Sequence, residues 1–196
     1  LVCLPIVFLA SAIQMLVASF ARSTKEAGTY LPFIALIPSL PGLALAIEPA
    51  ERRVMQRPPY SPKENIFGRG MARDILWIGL LMGLVSLGVG FLYYRIDPSA
   101  SPAVWQTVTF TTLTLAQMGN ALATRSDRDT LWQIGLFSNK AMLGSVLLTF
   151  ALQMAVIYVP FLNRAFSTTP LSLRDLLISL GFGTVVFLAV ELFKWI

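Results

Sequence analysis

Five stretches of this chain run for eighteen residues or more without a charged side chain: 1–20, 30–47, 75–94, 104–123 and 141–159. A sixth, 176–193, carries one charge, Glu191, near its end. A helix of about 20 mostly apolar residues crosses a bilayer core about 30 Å thick. Inside hydrocarbon no water is at hand to satisfy backbone N–H and C=O groups, so such runs close their hydrogen bonds internally, as helices. The expected fold is therefore an all-α membrane protein, a bundle of six transmembrane helices that uses roughly 120 residues. Only 48–74 is long enough to count as a substantial loop, so the whole chain reads as one membrane domain.

Composition agrees. Charged residues make up 13% of the chain and hydrophobic ones 56%, with mean hydropathy +0.70. A soluble domain usually carries about a quarter charged residues. The single cysteine, Cys3, rules out a disulfide scaffold. The absence of histidine removes the commonest general base and metal ligand, and with them imidazole ligation of a haem or chlorophyll. No cofactor is identifiable; bound lipid or a hydrophobic pigment is the kind such a chain would take. The net charge of +5 speaks for cytoplasmic loops rather than nucleic acid. The first span lacks the basic flank of a signal peptide and is too long for one. The chain begins with Leu rather than Met, which suggests processing or a fragment of something longer.

The distribution of Lys and Arg orients the bundle. Loop 48–74 has Arg52, Arg53, Arg57, Lys63, Arg69 and Arg73. With Arg125, Arg128, Lys140 and Lys194, one side carries ten. The other carries five: Arg22, Lys25, Arg95, Arg164 and Arg174. The positive-inside rule puts the ten-charge side, and hence both termini, in the cytoplasm. A multi-pass protein of the plasma (inner) membrane is expected, with membrane lipids and other membrane subunits as partners. The six basic residues of 48–74 are candidates for contact with anionic lipid headgroups or a partner, although a solvated loop that merely obeys the charge rule would look the same.

Two spans are unusual. The second holds Pro32, Pro38 and Pro41, and proline removes a donor and clashes one turn back, so this helix should be broken or kinked. The fourth carries Thr107, Thr109, Thr111, Thr112, Thr114, Gln117 and Asn120. Gln117 and Asn120 are three apart and share a helix face. They can coordinate an ion weakly or tie helices together by hydrogen bonds, and the second use is commoner in bundles. Glu191, the only carboxylate within a span, sits one turn from Lys194, which favours local pairing or snorkelling over a functional acid.

Four segments have a familiar form. Leu40-Pro41-Gly42-Leu43-Ala44-Leu45-Ala46-Ile47-Glu48-Pro49 is followed by Met55-Gln56-Arg57-Pro58-Pro59-Tyr60-Ser61-Pro62-Lys63-Glu64. This pair resembles the end of the sixth membrane helix, and the loop after it, of P-type cation-transporting ATPases of the calcium-pump-like class. Gly135-Leu136-Phe137-Ser138-Asn139-Lys140 is similar to the family's loop before its ninth helix, and Val156-Ile157-Tyr158-Val159-Pro160-Phe161-Leu162 to that helix's exit. Pro170-Leu171-Ser172-Leu173-Arg174-Asp175 resembles the lead into the tenth. The resemblance covers roughly residues 40 to 196 and implies a C-terminal membrane domain from ATP-driven cation pumps.

The departures are as informative. The family's phosphorylated Asp, in an Asp-Lys-Thr-Gly motif, has no counterpart in these residues, nor do its nucleotide and actuator domains and first four helices. These residues alone cannot hydrolyse ATP by the family's chemistry. Where the family has Asn, two residues, then Thr-Asp-Gly, this chain has Ile34, Ile37, Pro38 and Ser39. The first span has no acid in any register. Of the family's membrane ligand positions only Gln117 matches, with Asn120 beside it. No catalytic residue and no metal site is therefore expected beyond those two weak ion-site candidates. Two functions remain open: a stand-alone, ligand-depleted relative serving as a non-catalytic structural subunit, or a C-terminal fragment of a working pump.

Overall fold

The computed structural model describes residues 40–49, 54–56, 71–96, 101–126 and 128–195. Among these residues all regular structure is helical. Residues 40–45 are helical and Val54–Gln56 form a single 3-10 turn. Then come α1 (Met71–Ile96), α2 (Pro102–Ala123), the short α3 (Leu131–Ile134), α4 (Lys140–Tyr158), α5 (Pro160–Phe166) and α6 (Leu173–Phe193). The first span, and Pro32 and Pro38 of the second, lie outside the described residues; Pro41 lies within the helical stretch 40–45.

Helices α2, α4, α5 and α6 start where the sequence supplies a cap or a proline. Pro102 opens α2 and Pro160 opens α5, positions where a missing N–H costs nothing. The Asn139 side chain accepts from Met142 N at 2.9 Å to begin α4. Ser172 and Asp175 cap α6 reciprocally. Helix α1 begins four residues before the expected 75, which draws Arg73 and Asp74 out of the loop and onto its first turn.

Three of these helices, α1, α4 and α6, are long and apolar enough to cross a membrane. Helix α2, expected as a span of the same kind, is 22 residues long but falls outside that set. Its threonines and amides lower its hydropathy, and the bundle hides them: α2 lies at the centre against α6, α1 and α4, and most of its residues are buried.

On α6 small residues face inward, while large apolar ones face out. On α6 the inner seam is Ser179, Gly183, Val186 and Val190, and Leu177, Leu180, Leu188 and Leu192 are exposed. On α1 the ridge Leu76, Leu80, Leu84 and Phe91 is exposed too. Where the surroundings are as apolar as leucine, small residues gain more from close backbone approach than large ones from burial. At the α2–α6 crossing a Cβ on Gly183 would lie 2.9 Å from Leu115 Cβ and 3.1 Å from Ala116 N. Ile78, Met82, Leu113, Ala116, Val186 and Val190 fill the space where α1, α2 and α6 meet.

Candidate functional site

The polar groups of the bundle fall into three sets, one along α2 and one at each end. Along α2, Thr107, Thr109 and Thr114 turn back onto carbonyls four residues earlier, at 2.6, 2.8 and 3.0 Å. Such bonds use up the hydroxyl proton locally. Across to α4, Gln153 Nε2 donates to Thr111 Oγ1 at 3.2 Å. Gln117 and Asn120 are both buried, as a shared face of a central helix requires. Among the described residues neither Oε1 nor Nε2 of Gln117 has a hydrogen-bond partner, and neither has Oδ1 of Asn120. The tie between helices expected of Gln117 is made instead by Gln153, whose reach across to Thr111 no spacing within one helix reveals.

At the end where α2 and α6 finish, Glu191 and Lys194 pair at 2.8 Å with both side chains almost fully covered. The second Glu191 oxygen accepts from Leu131 N at 3.1 Å. Lys194 Nζ also donates to the carbonyls of Ala123 and Asp129 at 2.6 and 3.1 Å. This is the local pairing that one-turn spacing suggests, but it is buried rather than snorkelling. The pair closes the C-terminus of α2 and the N-terminus of α3, both of which expose unpaired backbone groups.

A second staple lies at the same end. Arg125 grips Glu48, with Nη2 to Oε1 at 2.7 Å and Nε to Oε2 at 3.1 Å. Its remaining donors reach Gly135 O at 3.1 Å and Ser138 Oγ at 2.6 Å. Asn139 Nδ2 adds a bond to Glu48 Oε2 at 2.7 Å. The Arg125 side chain has no exposed surface. Ala44 and Leu45 pack just beneath on Ala121 and Met142. The two familiar segments around 40–49 and 135–140, far apart in sequence, thus meet around one guanidinium.

The other two segments meet at the opposite end. Tyr93 on α1 donates to Asp175 Oδ1 at 2.7 Å, and Tyr158 donates to Leu171 O at 2.9 Å. Asn163 Nδ2 and Thr168 Oγ1 both serve the Val156 carbonyl, at 2.8 and 2.7 Å. That carbonyl is one of those the break between α4 and α5 would leave without a donor.

Arg52, Arg53, Arg57, Lys63 and Arg69 lie outside the described residues. Arg73 sits on α1, 3.2 Å from Asp74, with its guanidinium 5.2 Å from the centre of the Phe193 ring. Sequence reasoning counted Arg125 as one more loop charge and quoted Glu48 and Asn139 only as parts of motifs. Nothing local marks them as partners, because 77 residues separate Glu48 from Arg125.

Comparison with known proteins gives the family context. Residues 33–196 match the model of the cation transporting ATPase C-terminus. The chain is 35% identical over 156 residues to calcium-transporting ATPase type 2C member 2 of Rattus norvegicus, which is 79% of this chain and 16% of that protein. It is 34% identical over 166 residues to a calcium-transporting ATPase of Listeria monocytogenes, 84% of this chain and 18% of that protein. The chain thus spans less than a fifth of the length of these relatives.

Proposed function

This chain belongs to the cation-transporting ATPase C-terminal family, and on that premise we propose that it is a ligand-depleted framework domain of that family. It acts as a non-catalytic structural part of a larger membrane complex and holds partner helices and lipids rather than ions. Its ten-charge side faces the cytoplasm, both termini lie on that side, and the membrane is the plasma (inner) membrane.

One observation carries this reading. The only carboxylate within the described apolar spans, away from their first turns, is Glu191, and both of its oxygens are committed, to Lys194 and to Leu131 N. A hard divalent cation takes six or more oxygen ligands, preferably charged. The α2 face offers two neutral carbonyl oxygens, from Gln117 and Asn120. Residues 34–39, where the resemblance calls for Asn, Thr and Asp, offer none of those three.

A second reading, the C-terminal piece of a working calcium pump, has its own observation. Gln117 and Asn120 are buried on one face with oxygens that no group among the described residues satisfies, and a buried polar atom is costly unless something satisfies it. Replacing both with Ala in the native protein separates the readings. Assembled complex is followed on native gels and ATP-driven Ca²⁺ uptake in membrane vesicles. On the framework reading, uptake per assembled complex, if there is any, is unchanged. Uptake lost from a complex that still assembles would select the pump.

A further inference from the structure

Between α4 and α6 runs an apolar groove of about 420 Å³. Its floor is the side of α2 from Leu115 to Leu122, and its walls include Leu147 on α4 and Leu180 on α6. Leu131 and Leu136 stand at its mouth. Both walls are open to the surroundings, with Leu147 60% and Leu180 46% exposed.

The dimensions select an occupant. Leu115 and Leu122 are seven residues apart, about 10 Å along a helix. With the mouth residues above, the groove spans about one leaflet, half of a core about 30 Å thick. A transmembrane helix needs the full thickness, whereas a lipid acyl chain needs one leaflet.

The mouth selects the headgroup. Lys140 is seven residues before Leu147, two turns up on the same face of α4. Trp132 and Phe137 are strongly exposed there, as interfacial aromatics are. Arg125 and Lys194 are consumed by the two staples, but Lys140 and Arg128 are exposed and form no ion pair among the described residues. Lys140 thus stands above an acyl-sized slot, and Arg128 is carried three residues before Leu131 on the loop that leads into the mouth.

We infer that this groove holds one acyl chain of an anionic phospholipid, whose phosphate is bound by Lys140 and Arg128. The inference holds on either reading of the function. The site differs from the basic loop that composition suggests for lipid contact.

Native mass spectrometry of the full-length protein, loaded with phosphatidylglycerol or phosphatidylcholine of equal chain length, tests it. The native chain should retain one phosphatidylglycerol and much less phosphatidylcholine. Lys140→Gln and Arg128→Gln should each lower phosphatidylglycerol retention about five-fold and leave phosphatidylcholine alone. Leu147→Trp should displace both lipids, and Leu84→Trp on the outer ridge of α1 neither. Equal retention of the two lipids by all variants, or none by the native chain, would overturn the site. Should Leu147→Trp fail to fold, the two charge variants decide alone.

Discussion

Arg125 carries five N–H donors on a side chain with no exposed surface, so its position depends on Glu48, Gly135 and Ser138 all being in place. Removing one partner of such a pair leaves an uncompensated buried charge, which costs about 3–5 kcal/mol. Arg125→Met should therefore lower stability by about that much in detergent unfolding, and Glu48→Leu added to it should recover most of the loss. Native-like stability of Arg125→Met would remove the staple from the account. Residues of this kind were half legible. Glu48 and Asn139 stood in segments recognised as the family's and Arg125 was one more loop charge, but the pairing was hidden because it joins the chain across long separations. Glu191 was more legible, since Lys194 lies within one turn. Its burial and its bond to Leu131 N were not, because they depend on how the loop after α2 folds back. Gln117 and Asn120 were read as sharing one helix face; that the face is buried, and that three of its polar atoms lack a partner among the described residues, depends on the neighbouring helices.

The four long described helices lie within about a turn of the runs 75–94, 104–123, 141–159 and 176–193, because absence of charge marks a span whatever packs on it, while the short α3 and α5 carry no such mark. What hydropathy could not rank was their position. The stretch 104–123 stood out for its threonines and amides, and it is the central one, where Thr107, Thr109 and Thr114 are turned onto its own backbone. Gly183 likewise reads as one of many glycines until the crossing with α2 shows backbone and Cβ atoms within 3.2 Å of where its side chain would begin. Gly183→Leu should push α6 off α2 and cost about 1–3 kcal/mol. A Cβ on Gly181 meets nothing within 4 Å, so Gly181→Ala should be neutral in the same unfolding assay. Equal effects at the two positions would contradict a close α2–α6 contact.

For the molecule as a whole, the two staples at one end and the tyrosine and asparagine bonds at the other make a bundle fixed at both rims, with an interior of apolar side chains and hydroxyls. Its orientation rests on the ten-to-five bias of Lys and Arg and is open to direct test. Met55 is 93% exposed; in a Cys3→Ser background, Met55→Cys should react with an impermeant thiol reagent only after cells are permeabilised. Labelling of intact cells would invert the bundle. The central claim, a framework rather than an ion site, is tested most directly by calorimetric titration of Ca²⁺ into the purified full-length protein and its Gln117→Ala variant. The account expects no stoichiometric micromolar binding that depends on Gln117, so the two titrations should superimpose. One Ca²⁺ bound per chain at micromolar concentration, and lost in Gln117→Ala, would contradict it.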